Sequence, residues 1–300
     1  MKKLSIGFLL LILTVAVAVG CAGAGDSAEG KIVVSGKDWT EQWILAHIYG
    51  EYLKAHTDLD VEVKEGLGSE TVLTEAMKKG DVDMYVEYSG TGYLVFLKQQ
   101  YIPDTDPAEI YEQTKKGYLK EFNFQWLEPI GFANNHALAV TADTAKKKNL
   151  KTLSDLKGKA EQMSIGAPGT FYEREDGYKG YTKQYGYEFG KTVSLDEDVM
   201  YTAVKNGEVD LIVAFSTDPR IEQFNLQPLE DDKKYFPPYD AAPVIRKEVL
   251  DANPGLEETI NELAGNISTE EMMAMNAEVN QKNKKPQDVA REFLEKKGLL

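Results

Sequence analysis

Residues 70–89 read ETVLTEAMKKGDVDMYVEYS, and residues 197–216 read EDVMYTAVKNGEVDLIVAFS. At a constant offset of 127, identities fall at Glu70/Glu197, Val72/Val199, Ala76/Ala203, Lys78/Lys205, Gly80/Gly207, Val82/Val209, Asp83/Asp210, Val86/Val213 and Ser89/Ser216. In each copy the apolar residues (Val72, Leu73, Ala76, Met77; Val199, Met200, Ala203, Val204) recur at helical spacing. Glycine then closes the helix, the residue type that accepts the left-handed conformation found just past helix ends. An apolar run follows, Val82–Val86 or Val209–Val213, suited to a strand in a sheet covered by helices. Chance likeness of two ordinary helix–turn–strand units is the alternative, and it must account for all of these aligned identities.

A solenoid needs three or more short repeats. Two copies of a helix–glycine–strand unit instead predict two related α/β lobes, each built on a central sheet. Ligands in open α/β sheets bind beyond the carboxyl ends of the strands. Tyr88-Ser89-Gly90-Thr91 and Phe215-Ser216-Thr217-Asp218 hold matching places there, so Tyr88 and Phe215 are expected to line one cleft from opposite sides.

The flanking chain fits this plan. Lys31–Ser35 reads as a first strand and Asp60–Lys64 as a second, alternating one. Between them, Trp43, Ile44, Ile48 and Leu53 form a helical apolar stripe that Thr40 is placed to cap. Ser154–Gly158 and Ser164–Gly166 open the second lobe with a short helix and a strand, and residues 270–280 and 286–297 read as terminal amphipathic helices. The chain is expected to cross between lobes near residues 133–140 and again near 231–241. Lobe I then takes residues 31–136 plus 240–300, and lobe II takes residues 137–239.

Met1-Lys2-Lys3 precedes an almost wholly apolar run, Leu4–Val19, and then Gly20-Cys21. A basic start, a short apolar run and small closing residues describe a signal peptide over residues 1–20. The run is shorter than the roughly 20 residues a membrane span needs. Ala18-Val19-Gly20-Cys21 resembles the bacterial lipobox, in which the cysteine receives lipid; plain secretion or an uncleaved anchor are the alternatives. Residues 21–30 then form a small, polar tether. Over 300 residues, 34 Lys+Arg oppose 49 Asp+Glu, a formal net charge of −15 that disfavours a nucleic-acid partner. A single cysteine rules out an intramolecular disulfide, and the three histidines stand far from any zinc-binding pattern, so neither metal nor cofactor is expected.

Six stretches carry a further signal: TEQWIL (40–45), DMYVEYSGT (83–91), LEPIGFANNHALAV (127–140), FYEREDGY (171–178), AFSTDPRI (214–221) and LEDDKKYFPPYDAAPVIR (229–246). Their order, spacing and wording resemble the substrate-binding lipoproteins of osmoprotectant ABC importers, which bind glycine betaine, choline, carnitine and relatives. The resemblance covers nearly all of residues 31–300. It implies a two-lobed periplasmic-binding-protein fold of type II, hinged on two crossing segments, that closes over its ligand and delivers it to permease subunits. It further implies a lipid-anchored, extracytoplasmic monomer. By motif match, the aromatic cage for a trimethylammonium group falls at Tyr88, His136, Phe215 and Tyr239. Donors for a carboxylate fall at Lys37, Gln42, Thr91 and Arg174, with help from Asn134. His136 and Phe215 stand where the family usually has tyrosine.

These residue types suit the chemistry. A quaternary ammonium has no N–H to donate, so diffuse attraction to ring faces and methyl packing must select it, at roughly 0.5–1 kcal/mol per exposed ring and about 2 when desolvated. Three or four rings supply about 4–8 kcal/mol before ordering costs, and micromolar binding needs roughly 8. A charge-assisted clamp from Arg174 is a sensible remainder. Each residue has a plainer reading as well: core aromatics at Tyr88 and Phe215, a loop tyrosine at Tyr239, and a surface ion pair for Arg174 beside Glu173, Glu175 and Asp176. Lys37 and Gln42 read equally as a solvated loop residue and a helix-start residue. Residues 68–71 read as helix capping more readily than as an anion nest; Glu87 should point to the face opposite Tyr88, yet it is a candidate ligand contact or supporting carboxylate near the cation site. Neutral His136 is expected to tolerate a trimethylammonium and protonated His136 to repel it, so affinity should fall as the histidine titrates. Competing functions are a receptor for a larger trimethylammonium compound such as ergothioneine, a receptor for an amino acid or polyamine, and an extracellular hydrolase using Glu87, Asp218 or Asp240. No nucleophile elbow, Walker motif or metal cluster supports the hydrolase.

Overall fold

The computed structural model describes residues 30–174 and 176–300. Residues 1–29, which take in the expected signal peptide, the expected lipidation site Cys21 and nearly all of the expected tether, lie outside the described residues. Among those described, no helix is long and apolar enough to cross a membrane.

Both copies of the repeat fold alike. In the first, helix α2 (Glu70–Lys79) ends at Gly80, with φ 81°, and leads into strand β3 (Met84–Tyr88). In the second, helix Glu197–Asn206 ends at Gly207, with φ 77°, and leads into β8 (Leu211–Phe215). Each strand begins two residues later than the apolar pattern suggests, and the repeated aspartate explains why. Asp83 accepts a hydrogen bond from the Val33 amide on its carboxylate (2.8 Å) and returns one from its own amide to the Val33 carbonyl (2.9 Å). Asp210 does the same with Ser164, at 2.8 and 3.1 Å. A short acceptor side chain thus takes over the pairing of the strand edge before the regular ladder starts.

The strands form two five-stranded sheets. The first contains β1 (Lys31–Ser35), β2 (Asp60–Lys64), β3, β4 (Phe124–Trp126) and β10 (Ala241–Arg246), in the order β2-β1-β3-β10-β4. The second contains β5 (His136–Thr141), β6 (Ser164–Ala167), β7 (Lys191–Ser194), β8 and β9 (Leu226–Pro228), in the order β7-β6-β8-β5-β9. In both, three parallel strands meet an antiparallel fourth, so one permutation is used twice. His136 is already the first residue of β5 in the second sheet.

Alternation along the strands feeds a core on each face. Ile32 and Val34 pack with helix α1 (Thr40–His56) and the terminal helices Thr269–Asn280 and Pro286–Lys297, whereas Val33 packs with Leu73, Met77 and Trp126. In the second lobe, Leu211 and Val213 face Tyr181 and Leu156, and Ile212 faces Met200 and Val204. The N-cap of α1 is Trp39, without a side-chain bond, and not Thr40, whose hydroxyl instead donates to Asn280 at 2.6 Å.

Two chain segments join the lobes side by side, with Ala133 bridged to Asp240 in antiparallel fashion. The repeated serines fasten them. Ser89 donates its amide to the Asp240 carbonyl (2.9 Å), accepts the Asp240 amide on Oγ (3.0 Å) and donates Oγ to the Pro238 carbonyl (3.1 Å). Ser216 repeats this pattern on the other segment, through the Asn135 carbonyl (2.9 Å), the Asn135 amide (2.9 Å) and the Ala133 carbonyl (3.3 Å).

Candidate functional site

The strand ends of both lobes and the joining segments enclose one cavity of about 50 Å³. Tyr88, Thr91, Lys37, Asn134, His136, Arg174, Phe215 and Tyr239 all line it; Gln42 does not. Gln42 works behind the wall, donating to the Tyr88 hydroxyl (3.0 Å) and accepting the Lys37 amide (3.2 Å).

Tyr88 arrives at the end of β3, and its hydroxyl donates to Glu41 at 2.5 Å. Glu41 also accepts from Asn134 (2.8 Å) and from Asn276 of the helix Thr269–Asn280 (3.2 Å). Burial pushes the Glu41 carboxyl up, against the pull of these donors. The Lys37 ammonium lies 4.8 Å from the Tyr88 ring centre and 5.3 Å from that of Trp39, and it forms a buried ion pair with Glu87. Glu87 is fully enclosed, and it also accepts from the Tyr85 hydroxyl (2.9 Å) and the Tyr88 amide (2.8 Å). The protein's own cation therefore occupies a face of Tyr88. A buried ion pair of this kind persists only when its charges are further hydrogen-bonded, as Glu87 is.

The lobe II side is aromatic. The His136 ring meets Phe236 at 5.0 Å, Tyr239 at 4.8 Å, Phe215 at 5.5 Å and Phe171 at 6.0 Å between centres. Burial, seconded by the charge of Arg174, lowers the His136 pKa to about 4, so the imidazole is neutral at neutral pH. Its Nδ1 is buried without a hydrogen-bond partner. Tyr239 comes from the returning segment and donates its hydroxyl to Asp176 at 2.8 Å. Gly90 makes room for it, since a Cβ there would lie 2.8 Å from both the Tyr239 ring and the Pro238 carbonyl.

Arg174 is half-buried and crosses the cleft. Its Nε donates to Asp176 (2.7 Å), with a second bond from a terminal nitrogen to the same carboxylate; it also reaches Glu70 (3.1 Å) and Thr91 (3.3 Å) in the first lobe. Burial works to raise the Asp176 and Glu70 carboxyls, but Arg174, with Lys37 at Glu70, holds both below their usual range. Arg174 is thus both a cavity residue and an ion-pair partner, and its two carboxylate partners are buried. At residues 68–71 capping takes place without a side-chain bond: Ser69 is the N-cap, and Glu70 turns to Arg174.

Trp39 and Phe171, which lie outside the repeat, and Glu70 and Glu197, its matched first residues, also line the cavity. Trp39 lies four residues past the end of β1, and Phe171 four residues past the end of β6. These strands hold corresponding places in the two sheets. The strand-end rule, applied to β1 and β6 as well as to β3 and β8, finds both rings. The carboxylates once weighed for hydrolysis have other partners: Glu87 is held by Lys37, Asp218 is bracketed by Arg220 at 2.6–3.2 Å, and Asp240 belongs to the hinge.

Residues 30–296 match the family model described as the substrate binding domain of the ABC-type glycine betaine transport system. The chain is 40% identical over 300 residues to the carnitine transport binding protein OpuCC of Listeria monocytogenes serotype 1/2a (strain 10403S), covering 98% of this chain and 97% of that protein. It is 34% identical over 292 residues to the ergothioneine transport permease/ergothioneine binding protein EgtU of Helicobacter pylori (strain G27), covering 97% of this chain and 52% of that protein. A crystal structure of a glycine betaine/carnitine/choline ABC transporter superposes with a TM-score of 0.72 at 35% identity, over 89% of this chain and 99% of that one. The fold is that of type II periplasmic binding proteins. On the match along residues 30–296 and on this relatedness over its full described length, the chain belongs to the family of substrate-binding domains of ABC-type glycine betaine transport systems, a transport family.

Proposed function

We propose that this chain is the extracytoplasmic receptor of an ABC importer and captures a quaternary-ammonium solute between its lobes, performing no reaction on it. The supporting observation is the group of rings around a neutral His136, supplied by the second lobe and the returning segment. Because the Lys37 ammonium already lies over Tyr88, the ligand cation belongs against His136, Phe171, Phe215 and Tyr239. Tyr88 and Trp39 close the wall, and the ligand's polar end meets Thr91, Asn134 and Arg174. A 50 Å³ cavity has room for a few waters at most, so the lobes must part to admit a ligand and close over it. Lipid on Cys21 would hold the receptor, as a monomer, beside its permease. Residues 31–135 plus 240–300 and residues 136–239 are the two bodies that move, His136 going with the second sheet.

Calorimetric titration with choline, glycine betaine and carnitine tests the reading. Binding of at least one is expected, and Phe215→Ala should weaken it roughly tenfold, the loss of one desolvated ring face. Heat with none of the three, alongside binding of a primary amine or amino acid, would overturn it. A larger trimethylammonium ligand such as ergothioneine is a second reading. Two features favour it: the unpartnered His136 Nδ1, and an outer cavity of about 670 Å³, lined by Tyr101, Gln184 and Tyr235, whose Asp176 accepts the hydroxyl of Tyr239 from the inner site. Adding ergothioneine to the panel decides between them by rank of affinity.

A further inference from the structure

Arg174 is the guanidinium a ligand carboxylate would seek, yet its whole fork already meets acceptors of the protein. Asp176 takes Nε (2.7 Å) and a terminal nitrogen from within the same lobe, two residues away. The remaining contacts cross the cleft, to Glu70 Oε1 at 3.1 Å and Thr91 Oγ1 at 3.3 Å. Asp176 is a local brace, additionally fastened by the Tyr239 hydroxyl. Glu70 is different. It is the first residue of α2, 5% exposed, and its carboxylate belongs to the opposite lobe. Capping does not account for its orientation, because Ser69 and not Glu70 occupies the cap position. The other cation of the wall, Lys37, is held by Glu87.

We propose that Glu70 sets the balance between purely cationic and zwitterionic quaternary-ammonium ligands, by holding the place on Arg174 that a ligand carboxylate needs. The proposal rests on the receptor reading above and specifies its selectivity. A zwitterion such as glycine betaine or carnitine must displace Glu70 from Arg174 and bring a third carboxylate to a guanidinium that Asp176 and Glu70 already face. Choline has no carboxylate, so Glu70 keeps its partner and adds negative charge near the ligand's cation. Selectivity then arises from a built-in repulsion as much as from attraction.

The test is calorimetry on the full-length mature chain, wild type and Glu70→Gln, with choline, glycine betaine and carnitine. Glutamine keeps the size and removes the charge. The expected result is opposite in sign for the two classes: betaine and carnitine bind about tenfold more tightly, and choline about tenfold more weakly, the scale of one charge-assisted contact. Glu70→Asp, which keeps the charge, should retain the wild-type order. A parallel loss for every ligand would mean that Glu70 merely holds the closed form together, and it would overturn the proposal. So would affinities unchanged in a variant that melts like wild type. A wild-type protein that binds none of the three sinks the receptor reading itself, whereas binding without a change of rank sinks only this inference.

Discussion

At neutral pH the His136 ring carries no charge, because burial and the nearby Arg174 both disfavour its protonated form. Its ordinary pKa of about 6.5 applies to the unfolded chain. Below that pH the unfolded state gains a proton that the folded state refuses until about pH 4. Stability contributed by the neutral ring is therefore complete above pH 6.5 and is lost as pH falls toward 4, by at most about 3 kcal/mol. Thermal melts from pH 7 to 4 should show this slope, and His136→Phe should flatten it. Ligand affinity should hold down to about pH 5 and fail only near the folded-state midpoint. The sequence supplied the sign of this effect but not its position, because a motif names the imidazole without its degree of burial. The same gap explains Lys37. Its place before α1 was legible, whereas its attachment to Glu87 fifty residues away required the packed sheet.

Among the elements, the repeated strands teach most. Their apolar runs were visible, but their first residues were misplaced by two, because Asp83 and Asp210 pair through side chains where the ladder would otherwise begin. Asp210→Ala removes the acceptor for the Ser164 amide (2.8 Å) and hydroxyl (2.8 Å). An amide left without a partner costs about 1–3 kcal/mol, so chemical denaturation should show a loss of that size with an unchanged slope against denaturant. Helix starts were harder to read. Thr40 has the composition of a cap, yet tertiary contact with Asn280 claims its hydroxyl and Trp39 takes the cap position. Trp39 and Phe171 became findable only once β1 and β6 were seen to hold equivalent places.

For the molecule as a whole, duplication made the architecture legible, since one unit written twice in the chain gave one sheet permutation used twice. What it could not convey is what the chain itself places in the cleft: an ammonium over a ring and a carboxylate on a guanidinium. Motif spacing carries no information about which side chains reach across an interface.

The two serine fastenings have a mechanical consequence. Ser89 belongs to one lobe and grips the returning segment, while Ser216 belongs to the other and grips the outgoing one. Neither connecting strand can slide lengthwise without tearing bonds at one end, so the lobes are left with rotation about the paired strands as their easy motion. Amide hydrogen exchange at Ser89, Asn135, Ser216 and Asp240 should accordingly remain slow with or without solute, while the amides flanking Arg174 exchange faster in the empty protein. Equal acceleration at all of these sites would mean that the pivot itself melts whenever the mouth gapes.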